Sequence, residues 1–236
     1  MADPLFRSVA AGRAGTTTYD AGLRAHMQRI YNYMAGGLAV TGIIAYVVAH
    51  TALATIIFGS PLRWLVILGP LAFLFFIPGM PRYTIGQCQA LFWSFCSVMG
   101  LSLATIFFVY TQADIARAFF ITAADFAAMS LYGYTTRSNL TGMGSFMLMG
   151  LLGMIIASVV NLFLMSSALQ WVVSVAGVLI FTGLTAWDVQ RIKQTYDQGW
   201  GSEANSKLAI SGALSLYLDF INLFMSILRL TGNNRN

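Results

Sequence analysis

Ser211, Ser215, Asp219, Asn222, Ser226 and Arg229 recur every three or four residues in an otherwise apolar run near the end of this chain. At about 100° per residue they fall within roughly 80° of one another, so one helix face carries nearly all of the segment's hydrogen-bonding groups. The carboxylate in the middle of that face has chemistry to offer: it can hold a proton or meet a cation, and in lipid it is costly unless paired or used. A second stripe of mostly small or polar residues, Ser174, Gly177, Phe181, Thr185 and Asp188, has the same spacing in the preceding apolar run. Small residues let another helix approach closely. Helices joined by the loop at about 191–207 are expected to be neighbours, which makes Asp188 and Asp219 facing carboxylates that would titrate as a unit. Their depths differ, because Asp188 is one turn from Arg191 whereas Asp219 lies roughly 16 Å into its apolar run. Contact therefore needs tilt, a last helix that starts outside the lipid, or a water-filled vestibule.

Those stripes must be held by membrane helices. Of 236 residues, 58% are hydrophobic and only 9% charged, far from the roughly 25% charged of soluble domains. Apolar windows of spanning length fall at about 31–50, 61–79, 87–110, 117–135, 145–165, 170–190 and 208–230, predicting an all-α integral membrane protein with seven transmembrane helices. The expected organisation is a flexible cytoplasmic tail over residues 1–29, a transmembrane domain over 30–231 and a short C-terminal tail over 232–236. In the last window Asp219 disfavours insertion by about 2.5–3.5 kcal/mol, while its Leu, Ile and Phe residues favour it by roughly 4–7. The apolar contribution wins.

Basic residues set the orientation. With the N-terminus inside, Arg7, Arg13, Arg24, Arg29, Arg82, Arg137, Arg191, Lys193 and Lys207 face the cytoplasm, and Arg63, Arg117, Arg229 and Arg235 lie outside. The N-terminus is expected to be cytoplasmic, and the net charge of +5 is a matter of topology, giving no reason to expect a nucleic-acid partner. Cys88 and Cys96 stand about 12 Å apart along one helix, too far for a bridge, and read as core.

Enzyme readings fail on particular residues. Intramembrane aspartyl proteases carry Gly-x-Gly-Asp before the second acid, where this chain has Leu216-Tyr217-Leu218, and no proline follows Pro81. There is no mid-helix lysine for a retinal Schiff base and no HExxH zinc motif. No enzyme activity and no tightly bound cofactor are expected.

Phe181-Thr-Gly-Leu-Thr-Ala-Trp-Asp188-Val-Gln-Arg-Ile-Lys193 and Leu214-Ser-Leu-Tyr-Leu-Asp219-Phe-Ile-Asn222-Leu-Phe resemble the two most characteristic stretches of the Bax inhibitor-1 family, its bacterial branch in particular. Tyr132-Gly-Tyr-Thr-Thr-Arg137 with Asn139-Leu140-Thr-Gly is similar to that family's fourth cytoplasmic-side turn, although Asn139 replaces the usual aspartate. The resemblance implies a seventh helix at the centre, surrounded by the other six, and a bacterial inner-membrane location. It further implies a pH-sensitive calcium leak in which Asp188 and Asp219 share a proton and Arg82 acts as a latch. Calcium is then the permeant ion, transiently met by Asp188 and Asp219, with protons as the second ligand and Ser215, Asn222, Ser226 and Asp125 as candidates for the pathway. Asp125 stands where a small neutral residue is expected; it either adds a carboxylate to the route or hydrogen-bonds to neighbours such as Thr122. The alternative is that the protein acts as a membrane partner of a membrane-anchored ATP-dependent protease, as some bacterial relatives do.

Overall fold

A computed structural model describes the backbone of residues 4–73 and 75–232. The expected tails, 1–29 and 232–236, lie in part outside the described residues. Helix α1 spans Pro4–Ala49, followed by α2 (Leu53–Phe58), α3 (Leu62–Phe73), α4 (Ile85–Leu103), α5 (Ile106–Val109), α6 (Gln112–Thr135), α7 (Thr141–Leu164), α8 (Ser167–Thr195) and α9 (Gly201–Thr231).

Starts and stops follow local chemistry. Thr84 and Gln87 close a reciprocal capping box at the start of α4, and the Thr111 and Ser166 hydroxyls accept the backbone N–H groups of Asp114 and Leu169 at the starts of α6 and α8. Met165, at φ 48°, ends α7 in the left-handed conformation and lets the chain reverse at once into α8.

Among the described residues six helices, not the expected seven, are long and apolar enough to cross a membrane: Ala21–Ala49 within α1, Ile85–Val109, and α6 to α9. The window at 61–79 fails. Its α-helix is the twelve-residue α3, which contains Pro70, and Pro78 and Pro81 then turn residues 77–82 into a 3₁₀ segment. Hydropathy averaging does not register that proline removes an N–H and collides with the preceding turn. The hydrogen bond from Gln89 to the Tyr33 hydroxyl (2.8 Å) and that from Thr41 to the Cys96 carbonyl (2.9 Å) make α1 and α4 parallel, so α3 and the 3₁₀ segment supply the return between them.

The expectation of a last helix ringed by all the others also needs correction. Helix α9 is well buried against α1, α4, α6 and α8, but α7 packs chiefly on α8 and α3 on α4, outside that contact. At the centre Tyr217 is fully buried. Its ring meets Phe95 edge-on at 5.8 Å, and its hydroxyl lies 2.6 Å from Thr41 Oγ1, which itself donates to Cys96 O. Tyr217→Phe leaves Thr41 its carbonyl acceptor, so thermal unfolding in detergent should report a loss of only about 1 kcal/mol. Cys88 and Cys96 are buried free thiols.

Candidate functional site

Helices α8 and α9 run antiparallel at close range. Gly177 faces Ser226 so tightly that a β-carbon would collide with the hydroxyl, and Gly212 stands against Ile192. This register brings Asp188 to Asp219. Helix α9 begins at Gly201, several residues before its apolar run, as one of the three routes to contact read from the sequence requires.

The two carboxyls lie within hydrogen-bond reach of each other, and their residues are 7% and 6% exposed. Ionised carboxylates only accept, so two in contact bond each other only when one carries a proton. Asp188 Oδ1 and Asp219 Oδ2 are buried without a hydrogen-bond partner. The charge facing them is Arg191, whose Nη2 is 3.0 Å from Asp188 Oδ1, a close ion contact without hydrogen-bond alignment. The guanidinium is held over the Trp187 ring, 4.7 Å from its centroid.

Both acids and Arg191 line a cavity of about 520 Å³ together with Ser215 and Asn222. Pro70 and Leu71 of α3, Phe95 and Met99 of α4, and Leu148 and Leu151 of α7 complete its walls. Asn222 Nδ2 donates to Leu218 O at 2.8 Å, leaving its amide oxygen for the cavity. Ser226 instead donates to Asn222 O at 2.8 Å and sits against Gly177, so it closes the helix contact beyond the cavity. The stripe continues past both ends of this space. Ser211 lines a hollow of about 490 Å³ with Glu203 and Lys207, and Arg229 lines one of about 560 Å³ with Asn161 and Gln170.

Two further expected members are elsewhere. Asp125 accepts from Thr182 Oγ1 at 2.7 Å, tying α6 to α8, while Thr122 donates to Ala118 O. Arg82 is exposed at the end of the 3₁₀ segment and belongs to none of the ion pairs among the described residues. Arg191 takes the place beside the acids, and its i,i+3 spacing from Asp188 was the available signal. Sequence reasoning also missed Gln190, which is buried, accepts from Leu140 N and donates to Ser138 O (both 2.8 Å), and so pins the turn containing Asn139.

Among the described residues no group of three or more His, Cys, Asp or Glu side chains could hold a metal. The cavity's oxygen-bearing polar side chains are those of Asp188, Asp219, Ser215 and Asn222.

Residues 23–236 match the family described as inhibitor of apoptosis-promoting Bax1, Bax1-I. An uncharacterized protein of Rickettsia prowazekii is 44% identical over 221 residues, covering 93% of this chain and 94% of its own. Another from Caulobacter vibrioides is 43% identical over 242 residues, 97% of this chain and 96% of its own. The inner membrane protein YbhL of Escherichia coli is 41% identical over 220 residues, covering 91% and 94%. With a family match over nearly its whole length and relatives above 40% identity across more than nine-tenths of it, this integral membrane protein belongs to the Bax1-I family, in its bacterial, YbhL-like branch.

Proposed function

We propose that this protein is a pH-sensitive calcium leak of the bacterial inner membrane, oriented with its N-terminus in the cytoplasm, and that Asp188 and Asp219 are its proton-sensing pair. The observation that carries this reading is the contact of two buried carboxyls inside a polar-striped cavity. The YbhL relative's description as an inner membrane protein supports the location.

Protonation of the pair changes its charge by one unit beside a guanidinium 3.0 Å away. With one proton aboard, the pair and Arg191 are together neutral. With none, they carry one negative charge in a space that can admit a hydrated cation. Arg191 is thus the counter-charge that calcium must displace, and Arg82, at the surface, is left to anchor orientation. A differential of about 1.4 kcal/mol between closed and open packings changes their ratio tenfold, which one charge contact in this setting can supply. Ser215 and Asn222 offer neutral oxygens, which attract an ion without holding it.

The test is calcium flux into proteoliposomes across pH 5 to 8. Wild type should conduct with a pH response, and Asp188→Asn or Asp219→Asn should conduct with that response flattened. An unchanged profile in Asp219→Asn would remove the pair as sensor. Absence of flux above empty vesicles from folded protein would reject the leak in favour of the protease-partner role.

A further inference from the structure

Helices α1 and α6 both pack on α9 but hardly touch each other. The seam between them holds two hollows in line. One, about 680 Å³, runs along Met27, Tyr31 and Met34 of α1 and Phe126, Leu131 and Tyr134 of α6. The next, about 350 Å³, continues from Leu38 past Phe119. Phe126 and Phe119, one from each, both pack edge-on against Phe220 of α9, with centroids 5.5 and 5.7 Å apart, and this stack floors the seam.

The larger hollow is apolar along its length and polar at one end. Arg24 and Gln28 line that end; Tyr134, also on the wall, accepts from Lys193 Nζ of α8 through its backbone carbonyl at 2.8 Å, with Nζ 4.9 Å from its ring centroid. Ser130, only 6% exposed, lines the wall beside Tyr31, whose hydroxyl it meets. From Arg24 to Ala35 the wall rises about 16 Å, close to half of a hydrocarbon core about 30 Å thick. Tyr31 and Tyr134 present apolar rings with polar tips, suited to the level where headgroups meet acyl chains.

We propose that this groove is a binding site for an anionic glycerophospholipid of the adjoining leaflet, with one acyl chain lying between α1 and α6 and the phosphate held by Arg24. The depth fits one leaflet, the walls fit a hydrocarbon chain, and the cationic end selects negative headgroups over zwitterionic ones. A helix from a second copy would have to follow the whole seam, which narrows from about 680 to about 350 Å³.

Full-length protein in mild detergent, given equal amounts of phosphatidylglycerol and phosphatidylcholine and weighed by native mass spectrometry, tests the site. Wild type should retain one phosphatidylglycerol in preference to phosphatidylcholine. Arg24→Gln should reduce that preference about fivefold, the weight of one basic side chain at an anionic surface, and Arg24→Lys should restore most of it. Ala127→Trp, which fills the groove from an exposed position on α6, should abolish retention, whereas Ala116→Trp in the smaller hollow should not. Size-exclusion profiles and circular dichroism check that each variant is folded, and Ala127→Leu serves if the tryptophan is not tolerated. Equal retention of both lipids, or phosphatidylglycerol held undiminished by the groove-filling variant, would overturn the proposal. So would a Leu131→Cys cross-link between two copies with no lipid retained, which would give the groove to a second copy.

Discussion

Asp219→Leu should raise the stability of this protein by about 2 kcal/mol in thermal unfolding while abolishing the pH response of calcium flux. A mid-helix aspartate in lipid costs about 2.5–3.5 kcal/mol, and in this fold little offsets it, since one carboxyl oxygen of Asp219 is buried without a hydrogen-bond partner. Removing it leaves Asp188 with Arg191, a simple ion pair, so no buried charge is orphaned. The adjoining cavity of about 520 Å³ has room for the added carbons. A group kept at the expense of stability is the signature of a functional residue. If Asp219→Leu unfolds at a lower temperature than wild type, the carboxyl is helix glue, and the proton-sensing reading fails with it.

Gly133→Val should be the most damaging small substitution in the chain, lowering stability by about 3 kcal/mol, at the upper end of overpacking costs. A β-carbon at Gly133 would run into the backbone carbonyl of Ala186, and a backbone cannot swing aside as a side chain can. The collision would push α6 away from α8, two residues before Asp188. Gly153→Val is the matched control, since nothing lies within 4 Å of a β-carbon there. Folded yield and unfolding temperature in detergent should fall for the first and stay near wild type for the second. Equal behaviour of the two would mean that α6 and α8 are not held at the spacing described.

The acid pair was legible because helical periodicity survives in one dimension: residues three and four apart share a face whatever surrounds them. Asp188 and Asp219 could thus be matched across two stripes without coordinates, and the same segments carried the family resemblance. What the periodicity lacks is the identity of the opposing face. Asp125 was assigned to the route or to Thr122 on its own helix, yet its hydroxyl partner is Thr182 on α8, a pairing fixed by how α6 is rotated. Arg82 was identified as the latch from a likeness in position, whereas the reach of Arg191 over Trp187 is a rotamer outcome of packing. The missing spanning helix has a plainer cause. Pro70 and Pro78 break the backbone of a window whose side chains are greasy enough to pass, and Pro81 follows just beyond it.

That break has a consequence for the bilayer. The twelve residues of α3 rise only about 18 Å, against a hydrocarbon core about 30 Å thick, and Phe75 and Phe76 beyond it are exposed. Lipids on this flank are expected to meet a helical belt that is short and then broken by the 3₁₀ segment, while those around α7 and α8 meet a full-length helix. They must compress, splay or tilt to cover it, at fractions of a kcal/mol per Å of mismatch. A bilayer around this protein is therefore expected to be thinner on the α3 side. Bilayers of shorter-chain lipids should relieve that deformation, making acyl-chain length a determinant of where in a heterogeneous membrane this protein accumulates.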